Sequence, residues 1–76
     1  MSHQTARETR LLQALRRAPV ETVSTGMVRR WYTQWGLGPQ RSTARRDLQH
    51  LAARGLLIET GPENDREYRL NQAAAR

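Results

Sequence analysis

A chain of 76 residues has room for one small core and no second domain, because chains this short bury only a modest fraction of their surface. Hydrophobic residues at 37% and charged residues at 26% exclude a disordered or membrane-embedded chain, and the absence of cysteine excludes disulfides and thiolate metal sites. Thirteen basic residues, all arginine, against seven acidic ones give a net charge of +6 and favour a polyanionic partner.

No apolar run is long enough to span a bilayer, and the opening "MSHQTARETR" lacks the apolar centre of a signal peptide, so a cytoplasmic location is expected. Residues 1–4 have few anchors and are expected to be disordered. Thr5 and Glu8 match the spacing of a capping box and place the start of a first helix at Thr5. Leu11, Leu15 and Ala18 then form one apolar stripe with Leu12 beside it, and Pro19 ends the helix. The β-branched "VETV", residues 20–23, reads as a short edge strand.

Ser24 or Thr25 is placed to cap a second helix, whose residues Val28, Trp31, Tyr32 and Trp35 share a face opposite Arg29 and Arg30. Three of the four aromatics lie on that face, which is therefore expected to build the hydrophobic centre. Gly36 stops the helix, and "GLGP", residues 36–39, reads as a tight turn, with Pro39 suited to the first turn of a third helix. A phosphate loop is a poorer reading of those glycines, since neither a preceding buried strand nor a following lysine is present.

The third helix is expected over about residues 39–54. Ala44, Leu48 and Leu51 face inward with Ala52 at their margin, and Gly55 supplies the left-handed stop. The other side carries Ser42, Arg46, Gln49, His50 and Ala53, flanked by Arg41, Thr43 and Arg45. Beyond Gly55, "LLIET" and "EYRL" read as two strands joined by the turn "GPENDR", with Tyr68 and Leu70 on one face. Residues 71–76 form an expected flexible tail. The predicted fold class is mainly α with a small β-hairpin, an α+β domain over residues 5–70.

Three short helices with a turn before the third, followed by a hairpin, satisfy the demands of a helix-turn-helix: one member docked by its apolar side and exposing a polar side to the major groove. Residues 41–60, "RSTARRDLQHLAARGLLIET", resemble the third helix and first wing strand of bacterial winged helix-turn-helix regulators of the DeoR and GntR kinds. Those families share an R-S/T-T-x-R-R-D/E-L-x-x-L-x-x-x-G-L-L pattern, matched here by Arg41, Ser42, Thr43, Arg45, Arg46, Asp47, Leu48, Leu51, Gly55, Leu56 and Leu57. The resemblance covers about half of the chain.

It implies a winged-helix fold and sequence-specific binding of double-stranded DNA, with transcriptional regulation or repression as the use and a nucleoid-associated location. Arg41 resembles a base-reading arginine, Ser42 and Thr43 resemble base or phosphate contacts, and Arg45 resembles a residue that reaches the backbone or a guanine edge. Gln40 and Gln49 join the expected contact set. For Arg46 and His50, phosphate contact and simple solvation are equal readings. Arg29, Arg30 and the first-helix arginines are expected to approach phosphate, and so is Arg66 or Arg69 if the wing reaches the duplex.

Two departures from the resembled pattern bear on partners. The hairpin tip carries Glu63 and Asp65 against Arg66, so it either turns away from the duplex or meets a protein partner. The resembled regulators append an effector domain that this chain lacks, which leaves control to abundance, oligomerisation such as a homodimer, a partner, or a further segment. The alternatives to a repressor are a winged-helix module for protein interaction, or a DNA-binding component of a plasmid or phage replication or partition system.

Catalytic readings are weaker. Ser42 or Thr43, Asp47 and His50 hold the letters of a hydrolytic triad, but one helix sends them in different directions. Asp47 is better read as the partner of Arg54 or of an arginine on the first helix. His3 and His50 have no cysteine companions, so neither a metal site nor a cofactor is expected, and the chain is not expected to be an enzyme.

Overall fold

The apolar spacing along the chain turns into three helices and three strands in the computed structural model, which describes residues 3–17, 21–37, 41–62 and 65–71. Their order is α1 (His3–Arg17), β1 (Val23–Ser24), α2 (Thr25–Gln34), α3 (Arg41–Ala53), β2 (Leu57–Thr60) and β3 (Glu67–Leu70). The result is an α+β domain of three helices and one antiparallel sheet. Ala18, Pro19, Gly38, Pro39, Gln40, Glu63 and Asn64 lie outside the described residues, so the expected Pro19 stop and Pro39 entry do too.

α1 begins at His3, two residues before the expected Thr5, which corrects the capping box. Thr5 lies inside the helix, where its carbonyl accepts a hydrogen bond from Thr9 Oγ1 at 2.9 Å. Glu8 does not turn back to the helix start. Its side chain is buried and engaged with α3, because it shares the inward stripe of Leu11 and Leu15.

α2 starts as the sequence leads one to expect. Ser24 has an extended backbone and its Oγ accepts from the Met27 amide at 3.2 Å, satisfying one of the free donors of the first turn. Both glycine stops form. At Gly36 (φ 74°) the Leu37 amide donates to Tyr32 O at 2.8 Å and the Gly36 amide to Thr33 O at 3.2 Å. At Gly55 (φ 79°) the equivalent bonds run from Leu56 to Leu51 O and from Gly55 to Ala52 O. Each pair is a Schellman closure, which needs the left-handed backbone that glycine adopts without strain.

The strand expected from "VETV" occupies Val23 and Ser24, past Glu21 and Thr22, and is an edge strand as expected, paired with β3 in the hairpin's sheet; Val20 lies outside the described residues. Strand order is β1-β3-β2, with Val23 opposite Tyr68 and Glu59 opposite Tyr68 on the other side. The Asn71 amide donates to Leu56 O at 3.0 Å and its side chain to Gly55 O at 2.9 Å, so the first residue of the expected tail is tied to the end of α3.

Leu11, Leu15, Val23, Val28, Tyr32, Ala44, Leu48, Leu51, Leu57 and Tyr68 form the core between the helices and one sheet face. The expected aromatic centre is therefore half right. Tyr32 is buried, but Trp31 and Trp35 sit at the margin, where large indoles are usually found, and the second central aromatic is Tyr68 from β3. Trp35 contacts both Trp31 and Tyr32 at about 6 Å between ring centroids, and the Arg10 guanidinium covers it at 4.6 Å.

Candidate nucleic-acid interface

Helix periodicity divides α3 sharply. Ala44, Asp47, Leu48 and Leu51 are fully buried, whereas Ser42, Arg45, Arg46, Gln49 and Ala53 are exposed and Thr43 is half-buried. A repeat of 3.6 residues makes Ser42, Arg46, Gln49 and Ala53 the outermost row, with Arg45 on its sheet side and His50 on its α1 side. Arg41 opens the helix, but its side chain, like residue Gln40, lies outside the described set.

A buried polar cluster holds this helix against the others. Asp47 accepts from Arg7 Nε at 2.8 Å and Nη2 at 3.1 Å, a bidentate pair across α1 and α3, and from the Tyr32 hydroxyl of α2 at 2.8 Å. The hydrogen bond to Asp47 raises the Arg7 guanidinium above its ordinary value. Burial and then the same carboxylate push the Tyr32 hydroxyl well above that of a free tyrosine. Of the two partners expected for Asp47, the arginine on the first helix is the one found.

Glu8 forms the second link. It is only 2% exposed, and its carboxylate lies 2.8 and 3.0 Å from His50 Nδ1 and 3.6 Å from an Arg54 nitrogen. A carboxylate only accepts, so the proton of this bond sits on Nδ1. His50, for which phosphate contact and solvation are equal readings of the sequence, is hydrogen-bonded through Nδ1 to Glu8 of α1 while its side chain remains 48% exposed. Asp47 and His50, two letters of the apparent triad, serve different partners and do not meet. Every buried side-chain nitrogen and oxygen among the described residues has a hydrogen-bond partner.

These two links govern the electrostatics of the surface. Glu8 and Asp47 are the only carboxylates on the three helices, and both are inside. Among the described helical residues every exposed acid or base other than His50 is therefore an arginine, including Arg29 and Arg30 on α2 and Arg45 and Arg46 on α3. The exposed described acids, Glu21, Glu59, Asp65 and Glu67, all belong to the strands and their connections.

Between α3 and β2 a shallow cleft of about 340 Å³ is lined by Gln49, Ala52, Ala53, Leu57 and Glu59. Arg66, expected as a phosphate contact, pairs here with Glu59. From the sequence, Glu8 is expected in a capping box, Arg7 only as an unspecified first-helix arginine, and Glu59 in no role. For Glu8 a signal existed, its place three residues before Leu11 on the apolar stripe; for Glu59 the signal appears only once the hairpin register is known. No described helix is long and apolar enough to cross a membrane.

Neither a protein-family model, nor a curated protein, nor a solved structure matches the chain.

Proposed function

We propose that the domain binds double-stranded DNA with sequence preference as a winged helix-turn-helix, laying the outer row of α3 in the major groove and serving as a transcriptional regulator. One observation carries this reading: the helical surface exposes arginines and no carboxylate among its described residues, while its two acids are buried. A polyanion meets attraction there, with no exposed carboxylate among the described helical residues to oppose it. Ser42, Arg46 and Gln49 then face base edges, Arg45 lies beside them, and Arg29 and Arg30 of α2 approach phosphate. His50 drops out of the contact set because Glu8 holds it. The domain resembles regulators of the DeoR and GntR kinds in the α3 pattern quoted above, and the three helices with a following hairpin are compatible with their fold.

The test is affinity for a duplex selected from a random pool, compared with affinity for random duplex, each measured across salt concentration. Arg46→Ala is expected to lower the ratio between the two by about 5- to 150-fold, which corresponds to the roughly 1 to 3 kcal/mol of one bidentate guanine contact. Arg30→Ala is expected to weaken all duplexes alike and to flatten the dependence on salt. A second reading, a module that docks a protein partner, is favoured by the exposed acids Glu21, Asp65 and Glu67 on the sheet side. Equal, salt-insensitive binding to every duplex would decide for it.

A further inference from the structure

We infer that Glu59 is a specificity-determining residue of the proposed DNA surface: a carboxylate set inside the α3–β2 cleft that suppresses binding to duplexes of arbitrary sequence. The inference rests on the duplex-binding reading and deepens it.

Side chains alternate along a strand, so Leu57 and Glu59 share one face of the sheet while Ile58 and Thr60 share the other. Leu57 is buried against the helices, which places Glu59 on the helix-facing side as well. Its register partner Tyr68 is buried on that same side, and Arg66, two residues earlier on the chain, is aligned with Tyr68. Glu59 therefore points out of the core toward α3 and lines the cleft with Gln49 and Ala53.

Its carboxylate accepts from Arg66 Nη1 in an exposed contact. Burial raises the Tyr68 hydroxyl above its ordinary value and the nearby Glu59 charge raises it further, while Arg66 and Arg45 act in the opposite sense. Arg45 is thus within electrostatic reach of the same group. Glu67 and Arg69 alternate to the outer face of β3 and are exposed.

A carboxylate at this position has two effects on a duplex. It cancels the charge of Arg66, so that arginine releases no counterion for a generic phosphate, and it repels phosphate directly. It offers one compensation, an acceptor for a donor on a base edge such as the cytosine amino group. Both effects penalise arbitrary sequence more than a sequence that presents such a donor.

The experiment compares the full chain with its Glu59→Gln and Glu67→Gln variants, using the selected duplex and a random duplex between 0.1 and 1 M salt. Freeing one cation steepens the salt slope by about 0.9, which is roughly an eightfold gain in random-duplex affinity at 0.1 M relative to 1 M. Glu59→Gln is expected to show that gain, with a smaller gain on the selected duplex, so the ratio between them falls. Glu67→Gln removes the same charge from the outer face and is expected to leave the slope near wild type. An unchanged slope in Glu59→Gln, or an equal change in both variants, overturns the inference while leaving duplex binding in place. Absence of salt-dependent duplex binding by the wild-type chain overturns the parent reading, and this inference with it.

Discussion

Asp47→Ala is the change that most directly probes how α3 is held. The carboxylate is fully buried and accepts three hydrogen bonds, two from Arg7 and one from Tyr32. Removing one partner of a buried ion pair costs about 3 to 5 kcal/mol, because the other charge is left in a poor dielectric without compensation. Here two terms pull apart. The Arg7 side chain is 19% exposed and part of its guanidinium regains water, which favours the lower end. The Tyr32 hydroxyl, in a residue 1% exposed, loses its acceptor, which is worth about 1 to 3 kcal/mol by itself and favours the upper end. The net loss should thus stay near 3 to 5 kcal/mol.

At roughly 0.05 to 0.15 kcal/mol per residue, a chain of 76 residues has about 4 to 11 kcal/mol in total, so the variant is expected at the edge of unfolding. Urea unfolding followed by circular dichroism reads this as a midpoint lowered by roughly 3 to 5 M for a slope near 1 kcal/mol per M, or as no folded baseline. Replacing the whole cluster, with Arg7→Met, Asp47→Leu and Tyr32→Phe together, leaves no orphaned group and is expected to recover most of the loss. A single-variant loss below about 1 kcal/mol at unchanged slope, or a triple variant no better than the single one, would refute the reasoning.

Two further outcomes follow from the same contacts. Tyr32 and Tyr68 both titrate above the ordinary tyrosine value of about 10 when folded, so their stabilisation is complete below pH 10 and is lost as pH rises beyond it, the unfolded chain giving up its protons first. The urea midpoint is expected to hold from pH 8 to about 10 and then fall, by at most about 1.36 kcal/mol per pH unit per tyrosine, with Tyr32→Phe removing its share; a flat midpoint to pH 11.5 would contradict this. His50→Ala leaves buried Glu8 with Arg54 at 3.6 Å and is expected to cost about 1 to 3 kcal/mol of stability while sparing duplex affinity of the folded fraction. Reduced affinity at intact stability would return His50 to the contact set.

Much of the fold was legible because it rests on local rules. The Leu11 and Leu15 spacing, the Ala44, Leu48 and Leu51 stripe, the Ser24 cap and the Gly36 and Gly55 stops each need only neighbours within a few residues. The misreadings share a different cause. Thr5 and Glu8 have the right separation for a capping box, yet Glu8 also lies on the stripe facing α3, and a tertiary partner outweighs a local one. β1 has two residues, and its place is decided by pairing with β3 at the far end of the chain, which no local pattern encodes. Trp31 and Trp35 match the apolar face of α2, but matching a face does not say how deep each side chain sits. The candidate surface divides likewise: the outer row of α3 follows from helical spacing, whereas the engagement of His50 by Glu8 and of Arg66 by Glu59 depends on which elements meet.

The buried acids connect stability to the proposed function more closely than either does alone. Had Glu8 and Asp47 been exposed, each would have offset one arginine on the helical surface, and the net charge of +6 would be spread over the molecule. Inside, they tie α1 to α3 through Arg7, His50 and Arg54, side chains that lie behind or beside the outer row rather than on it. Arg45 and Arg46 stay exposed as a consequence of the same packing that fixes their helix. The exposed acids among the described residues lie on the strands and their connections, so on the proposed reading an approaching polyanion would be turned toward the helices. Glu59 is the exception, an acid on the boundary between the two sides, and the boundary is where a carboxylate can tell one sequence from another without weakening the attraction of the rest.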